Sequence, residues 1–354
     1  MGSGKRPTRR DVAEQAGVST AVVSYVLNNG PRPVAEATRQ RVLDAVRTLD
    51  YLPNEIARSL AGQRTKTIGL IAPTLANPVW ARVSMGITDV ICEQGYLLIV
   101  CDVEDDPEQD ARYAQLLVSK QVDGVVLVPT ADAAETVKVC RRGGVSVVVV
   151  EQDVAGASAV VVDAEATGRK VTEHLIELGH SRIAILREHR TSLDSWKRFA
   201  GYERAMAAAG LTVDDRLVAD AHPSIDGSVV AGSLDAAAAL LSVDPPPTAV
   251  VAHNDLMAIA VLHIARGLGL RVPDDLSVIG VDDVESALYT EPPLTTLPFP
   301  QRDLGRIAAR QLLIQMAGEE SHGLTVLDPP DVVVRGSTAP PPPNRRPEDQ
   351  NPMR

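Results

Sequence analysis

TRRDVAEQAGVSTAVVSYVLN, residues 8–28, holds two short amphipathic stretches with a break between them. Thr8 opens a polar–apolar period that runs to Ala16, and Gly17 interrupts it. Ser19, a good N-cap, starts a second helix. At about 100° per residue, Val22, Val23, Val26 and Leu27 fall on one half of that helix. Thr20, Ala21, Ser24, Tyr25 and Asn28 fall on the other. One face therefore packs on a small core while the other carries short polar groups and one phenolic hydroxyl. Two short helices joined by a Gly-containing turn make a helix-turn-helix, whose second helix enters a DNA major groove. An ordinary helical hairpin is the competing interpretation of these residues taken alone.

The charge distribution bears on that choice. The chain has 354 residues and a net charge of −11, yet residues 1–64 hold ten Lys and Arg against six Asp and Glu. A basic front on an acidic body suits a polyanionic partner at the front only. Lys5, Arg6, Arg9 and Arg10 form a basic lead-in available to phosphates. Asn29-Gly30-Pro31-Arg32-Pro33 is a turn by composition, and a third helix is predicted from about Ala35 to Leu49, with Val42, Val46 and Leu49 on one face. Pro53 stops it, because the residue before a proline is pushed out of the helical region. Asn54 then caps a predicted helix of two turns, Glu55 to Ala61, ending at Gly62. A helix that short is unstable alone. It either folds only against a partner helix and a groove, one of Ile56 and Leu60 packing on a symmetry mate and the other wedging between base pairs, or docks on the larger domain.

From Thr67 the pattern becomes strand then helix, repeatedly. Candidate strands are Thr67–Ala72, Tyr96–Asp102, Gly124–Val128, Val145–Val150, Ile183–Leu186, Thr248–His253 and Leu276–Val281. Most are continuous Val/Ile/Leu runs, the signature of parallel strands covered on both faces. Predicted helices between them include Ala81–Gln94, Gln109–Lys120, Ala166–Leu178, Ser195–Ala209 and Asp255–Arg266. The alternation is a doubly wound α/β architecture, long enough for two such units. Glu151 to Val161 and Pro292 to Pro300 read as crossings between them. The Pro-rich end from Ser337 to Arg354 reads as disordered.

No signal-peptide core or membrane-spanning apolar run is found, so a cytoplasmic protein with no membrane partner is expected. Cys92, Cys101 and Cys140 lack metal-ligand spacing and read as reduced core residues. His174 and His180, placed six apart on one helix, cannot share a metal; with His189, His222, His253 and His263 they read as scattered surface or satisfied side chains. Phosphate-loop, GxSxG and HExxH motifs are absent, and Gly267-Leu268-Gly269 follows a helix instead of a strand. An enzyme is not expected, nor any catalytic residue, cofactor or metal.

Taken together, these residues resemble the lactose-repressor family of bacterial transcription regulators over nearly all of positions 8–337. DVAEQAGVS, VVSYVLN and YLPNEIARSLAG carry the resemblance at the front. TIGLIAP, NPVW, VDGVVLVP, HLIELGHSRIAIL, RFAGYERAM, AHNDLMAIAVL, LGLRVPDDLSVIGVDD and PPLTTL carry it in the body. It implies an all-α helix-turn-helix headpiece at 1–52 and a hinge helix and linker at 53–63. An effector-binding and dimerisation domain at 64–337 would have the two-lobed fold of periplasmic sugar-binding proteins, followed by a disordered tail at 338–354. Lobe one would take about 64–160 plus 294–322, and lobe two about 161–293 plus 323–337.

The resemblance implies a ligand-responsive, sequence-specific DNA-binding regulator, a repressor, working as a homodimer or tetramer on a palindromic double-stranded operator. DNA contacts are implied for Thr8, Arg10, Ser19, Thr20, Ala21, Ser24, Tyr25, Asn28, Arg32, Asn54, Ala57 and Leu60. Where many members carry a guanine-reading Arg, this chain has Tyr25, which either bonds a base or phosphate or packs over the headpiece surface. Ala35 stands where a Ser commonly caps the third helix, a loss of ~1 kcal/mol. Contacts to a small-molecule effector, expected to be a carbohydrate, are implied for Asn77, Trp80, Glu151, Gln152, Arg198, Asn254 and Asp282. Carboxylate and guanidinium forks take adjacent hydroxyls, and an aromatic face stacks on the C–H side of a sugar. Gln152 replaces a common Arg, which disfavours an anionic effector. Trp80 has a core alternative, and Asp255 and Asp283 read as helix caps. A transport solute-binding protein would share the body fold but needs an export signal and no headpiece.

Overall fold

The computed structural model describes residues 7–27, 32–52, 64–104, 106–130, 132–188, 193–222, 228–319 and 323–342. The chain divides into two units, Met1–Thr65 and Lys66–Arg354.

In the first unit, α1 (Arg9–Ala16), α2 (Thr20–Leu27) and α3 (Glu36–Thr48) close on Val12, Ala13, Ala16, Val23, Val26, Val42, Ala45 and Tyr51. Thr8 caps α1 in a capping box: its Oγ1 accepts from the Asp11 N–H, and the Asp11 carboxylate accepts from the Thr8 N–H. Gly17 ends the helix at φ 66°, its N–H reaching the Glu14 carbonyl. This is the left-handed position that glycine fills without steric penalty. Ser19 Oγ accepts from the Val22 N–H at 3.3 Å, so α2 starts on the expected serine. Ala35 gives α3 no side-chain cap, as its methyl group dictates. Tyr51, which the sequence marks only as part of a helix stop, is buried in this core.

The second unit contains two parallel sheets. The strands of the first are β1 (Thr67–Ala72), β2 (Leu97–Asp102), β3 (Gly124–Leu127), β4 (Ser146–Val150), β5 (Ser158–Val162) and β11 (Leu324–Leu327), in the order β11-β5-β4-β3-β1-β2. Those of the second are β6 (Ile183–Arg187), β7 (Val218–Asp220), β8 (Ala249–Ala252), β9 (Ser277–Asp282) and β10 (Thr295–Pro298), in the order β10-β9-β8-β6-β7. Every pairing within both sheets is parallel. The inner strands are buried on both faces, which is why their sequences run apolar without alternation. The helices are α4 (Pro78–Ile91), α5 (Pro107–Ser119), α6 (Ala134–Arg142), α7 (Ala164–Glu177), α8 (Leu193–Ala208), α9 (Val229–Leu241), α10 (Asp255–Gly267) and α11 (Gln301–Met316). In lobe one, α4 packs on α11, and Asp89 of α4 takes both Arg302 and Arg306 of α11 at 2.7 and 2.8 Å.

The lobe boundaries differ from the sequence expectation at three places. The stretch 151–161, expected as a crossing, contains most of β5, so the first crossing comes after Val162. β10 lies in 294–322, assigned to lobe one, yet it pairs with β9 of sheet two. β11 lies in 323–337, assigned to lobe two, yet it pairs with β5 of sheet one. Both are four-residue edge strands flanked by prolines or by polar residues. Local pattern cannot assign such a strand, because the long-range partner decides its sheet. All three crossings leave the carboxyl end of a strand: β5 into α7, β10 into α11, and β11 into the last segment. That brings the carboxyl edges of both sheets to the crossings.

The last segment also corrects the expected disorder from 338. Val333 bridges Thr296 of β10, and the Ser337 carbonyl accepts from the Val278 N–H at 2.8 Å. Ala339 donates to Ser277 Oγ, and its carbonyl lies 2.9 Å from His180 Nε2. These partners along β9 and β10 order chain whose composition alone argues for disorder; residues 343–354 lie outside the described residues.

Candidate functional site

On α2 the side chains sort as the helical period requires. Val23 and Val26 are buried, Val22 and Leu27 half-buried, Thr20 and Ala21 exposed, and Ser24 and Tyr25 half-buried. Ser19, Arg10 and Arg32 are exposed. Thr8 is exposed too, but its hydroxyl belongs to the α1 cap. This face offers hydroxyls, a methyl group and guanidinium groups, chemistry suited to phosphates and base edges. Asn28, Asn54, Ala57 and Leu60 lie outside the described residues, as does the expected hinge helix.

In the body, the lobe-one candidates sit at the carboxyl ends of β1 and β4. Asn77 is the N-cap of α4, its Oδ1 accepting from the Val79 N–H at 3.1 Å. Trp80, one turn on, is half-buried and packs against the lobe-one core. Glu151 has a left-handed backbone at φ 66°, and its Oε1 accepts from the Val162 N–H at 3.0 Å. Gln152 is buried, and its Oε1 accepts from the Ala133 N–H at 2.9 Å.

The lobe-two candidates stand at the carboxyl ends of β6, β8 and β9. Arg198 is buried on α8, and its Nη1 donates to the His253 carbonyl at 2.6 Å. Glycine places it there: a Cβ on Gly168 of α7 would collide with the Arg198 carbonyl, and one on Gly201 of α8 with that of Glu165. The two helices approach at backbone contact, which seats Arg198 against the sheet edge. Asn254 follows His253 and caps α10, accepting from the Met257 N–H at 2.9 Å. Asp282 ends β9 with φ 117°, a value almost reserved for glycine. A small pocket at this edge is lined by Arg187, Ser195, Arg198, Phe199, His253 and Val281, among others.

Two expected helix caps have other roles. Asn254 takes the cap of α10, and the fully buried Asp255 instead accepts from the Val284 N–H at 2.9 Å and the Thr296 hydroxyl at 2.5 Å. Burial pushes its carboxyl up to about 7 against the pull of those two donors. Asp283 pairs with Arg335 at 2.5 Å.

Sequence reasoning missed the other polar and charged groups at this edge. Arg187, the last residue of β6, pairs with Asp220, the last of β7, at 2.8 Å. Its guanidinium lies over Phe199 at 4.4 Å and Trp196 at 5.3 Å. His253, expected among scattered histidines, is buried here with Nε2 3.4 Å from a Glu188 carboxylate oxygen. His180, placed by sequence on one helix with His174, lies beyond the end of α7 at Glu177, buried between Thr248 and Ser277. The signal that finds Arg187 and His253 is positional: a polar residue directly after an apolar parallel strand points at the binding edge of an open α/β sheet. Among the described residues no cluster of metal-ligating side chains exists, and no helix is long and apolar enough to cross a membrane.

Residues 8–54 match the family model of bacterial regulatory proteins, lacI family, and residues 172–338 match a periplasmic binding protein-like domain. The HTH-type transcriptional repressor PurR of Photobacterium profundum is 36% identical, covering 93% of this chain and 98% of that protein. The lac repressor dimer, solved bound to operator and the anti-inducer ONPF, superposes with a TM-score of 0.85 at 28% identity. That match covers 95% of this chain and all of that one, 100%. The transcriptional regulator CelR, solved as a cellobiose complex, gives a TM-score of 0.70 at 31% identity, over 94% of this chain and 100% of that one.

Proposed function

Because the chain belongs to the lacI family of bacterial regulatory proteins and is a ligand-responsive, DNA-binding transcriptional repressor, we propose how its parts divide the work. Residues 1–52 read DNA, 53–63 connect, and 64–337 bind the effector and a second copy of the chain. The paired copies set two α2 helices on the half-sites of a palindromic operator, so the protein acts in the cytoplasm, where the chromosome is. Exposed apolar residues support the pairing. β2, the outer strand of sheet one, presents Leu97 and Val100, and Met85 of α4 and Tyr289 after β9 are also exposed. An apolar edge strand left uncovered invites association.

The effector is a sugar or a close derivative. The observation that carries this is the convergence of Arg198, Asn254 and Asp282 at one sheet edge, beside Trp196 and Phe199. Guanidinium, amide and carboxylate hold vicinal hydroxyls in fixed directions, while rings take the apolar face. CelR, solved with cellobiose, is a relative whose bound molecule is of this class. Asn77, Trp80, Glu151 and Gln152 supply the opposite wall. Arg187 is paired with Asp220, so the wall holds no surplus of positive charge that would select an anion.

A sugar panel screened by tryptophan fluorescence and thermal shift on the whole chain tests this reading. A hit is expected to change operator affinity tenfold to a hundredfold, equivalent to ~1.4–3 kcal/mol of coupling. Arg198→Ala is expected to lose that response while keeping ligand-free operator affinity in a gel shift. A full response in the variant rejects the assigned site.

A further inference from the structure

Gln301 is the first residue of α11, a lobe-one helix, yet its side chain reaches lobe two. Its Nε2 donates to the Asp282 carbonyl at 2.7 Å, and the Phe299 N–H reaches the same oxygen at 3.3 Å. The side chain is buried, and its Oε1 has no hydrogen-bond partner among the described residues. Burying an amide oxygen unsatisfied is destabilising, so stability alone does not account for a glutamine here.

The backbone it grips is strained. Asp282 at φ 117° and Asp283 at φ 54° are consecutive non-glycine residues on the left-handed side, and such a pair persists only where its surroundings over-determine it. Here the surroundings come from other segments. Gln301 of α11 holds Asp282. Arg335, in the last segment, holds the Asp283 carboxylate at 2.5 Å. Asp255 of α10 holds the Val284 N–H, and Thr296 of β10 joins Asp255 to the Asp283 N–H.

We propose that Gln301 is a positioning residue: by holding the strained Asp282 backbone across the lobe boundary, it makes the stance of an effector ligand in lobe two depend on where lobe one's last helix stands. The proposal rests on Asp282 being an effector contact, as argued above. It gives the two lobes a direct, residue-sized means of sensing each other at the bound molecule. A lobe movement that shifts the start of α11 pulls on the Asp282 carbonyl, and the strain stored in the turn is then released or restored.

The test is a double-variant cycle read by amide hydrogen exchange on the ligand-free whole chain. Gln301→Met keeps the volume and removes the donor. Exchange at the Asp283 and Val284 amides is expected to rise at least tenfold, with sheet two and the rest of α11 unchanged. Asp282→Gly removes the strain, because glycine adopts that φ freely, and in this background Gln301→Met is expected to change the same amides less than twofold. Gln301→Leu, which also lacks the donor, is a second variant with the same expected outcome should the first not fold. Equal tenfold effects in both backgrounds overturn the proposal, as do no effect in either and a rise spread over the whole lobe. Because no effector is added, an error in the effector site leaves these outcomes untouched, and the cycle judges the joint alone.

Discussion

The two carboxyl edges of the body are built on different principles. At the lobe-one edge, each predicted polar side chain is tied to its own lobe's backbone: Asn77 to Val79, Glu151 to Val162 and Gln152 to Ala133. At the lobe-two edge, Arg198 and Asn254 are likewise tied to backbone, at His253 and Met257, but beside them side chains meet one another and rings: Arg187 with Asp220, Phe199 and Trp196, and the His253 ring with the Glu188 carboxylate. The lobe-one edge is thus a set of backbone clamps that shape a wall. The lobe-two edge is an electrostatic lattice whose members fix one another. A substitution in the first costs a local hydrogen bond, whereas loss of Asp220 in the second strands a buried guanidinium.

The largest effect belongs to the packing beneath the lattice. Gly201→Val would drive a side chain into the Glu165 carbonyl of the neighbouring helix. Backbone cannot yield as a flexible side chain does, so a loss of about 3 kcal/mol or more is expected. In circular dichroism, lobe two is expected to melt well before lobe one; a single wild-type transition contradicts it. Asp220→Ala comes next. It leaves the Arg187 guanidinium buried between rings without its carboxylate, and removing one partner of a buried pair costs about 3–5 kcal/mol. The mostly buried pair, with side chains 9% and 14% exposed, falls towards the lower figure. Glu151→Gln at the other edge, which keeps an acceptor for Val162, is expected to shift urea unfolding far less. Equal shifts for the two would erase the distinction between the edges.

What the sequence revealed follows the same division. Thr8, Gly17 and Ser19 were legible because capping and a left-handed stop are local. The inner strands were legible because burial on both faces writes a continuous apolar run. β10 and β11 were assigned to the wrong lobes because four residues hold no record of a partner distant in the chain. Arg198, Asn254 and Asp282 were identified by family resemblance, and the folded chain places them at one edge. Arg187 and Asp220 belong to no motif in the resemblance, and His253 lies in AHNDLMAIAVL without a role there; each pairing is set by the order of parallel strands, which a linear pattern does not encode.

Asp255 gives an intermediate effect that varies with pH. Its carboxyl is raised from 3.8 to about 7 in the folded chain, so between those values the folded state holds a proton that the unfolded state has lost. Stability from this group is therefore lost as pH rises from about 4 to 7 and is level above that. The wild-type melting temperature minus that of Asp255→Asn is expected to fall by a few degrees between pH 5 and 7.5. A difference that stays flat, or climbs, contradicts the burial argument. Asp255 joins α10 to the β10 crossing through Thr296, so this group senses pH at the base of the lobe-two lattice and has no counterpart among the clamps.

The smallest effect discriminates most finely. Asn77 caps α4 through Oδ1, and replacing it with alanine is expected to cost ~1 kcal/mol, a drop of a few degrees at most in a domain this size. Serine caps nearly as well, so Asn77→Ser is expected to restore most of the melting temperature. It does not restore the amide N–H groups that would reach an effector hydroxyl. If Asn77 is only a clamp, both stability and the effector response recover in the serine variant. If it also forms part of the opposite wall, stability returns while effector affinity stays several-fold weaker. The second outcome is the one expected, because a cap built from Oδ1 uses neither of the Nδ2 donors. Recovery of both would confine ligand recognition to the lobe-two edge.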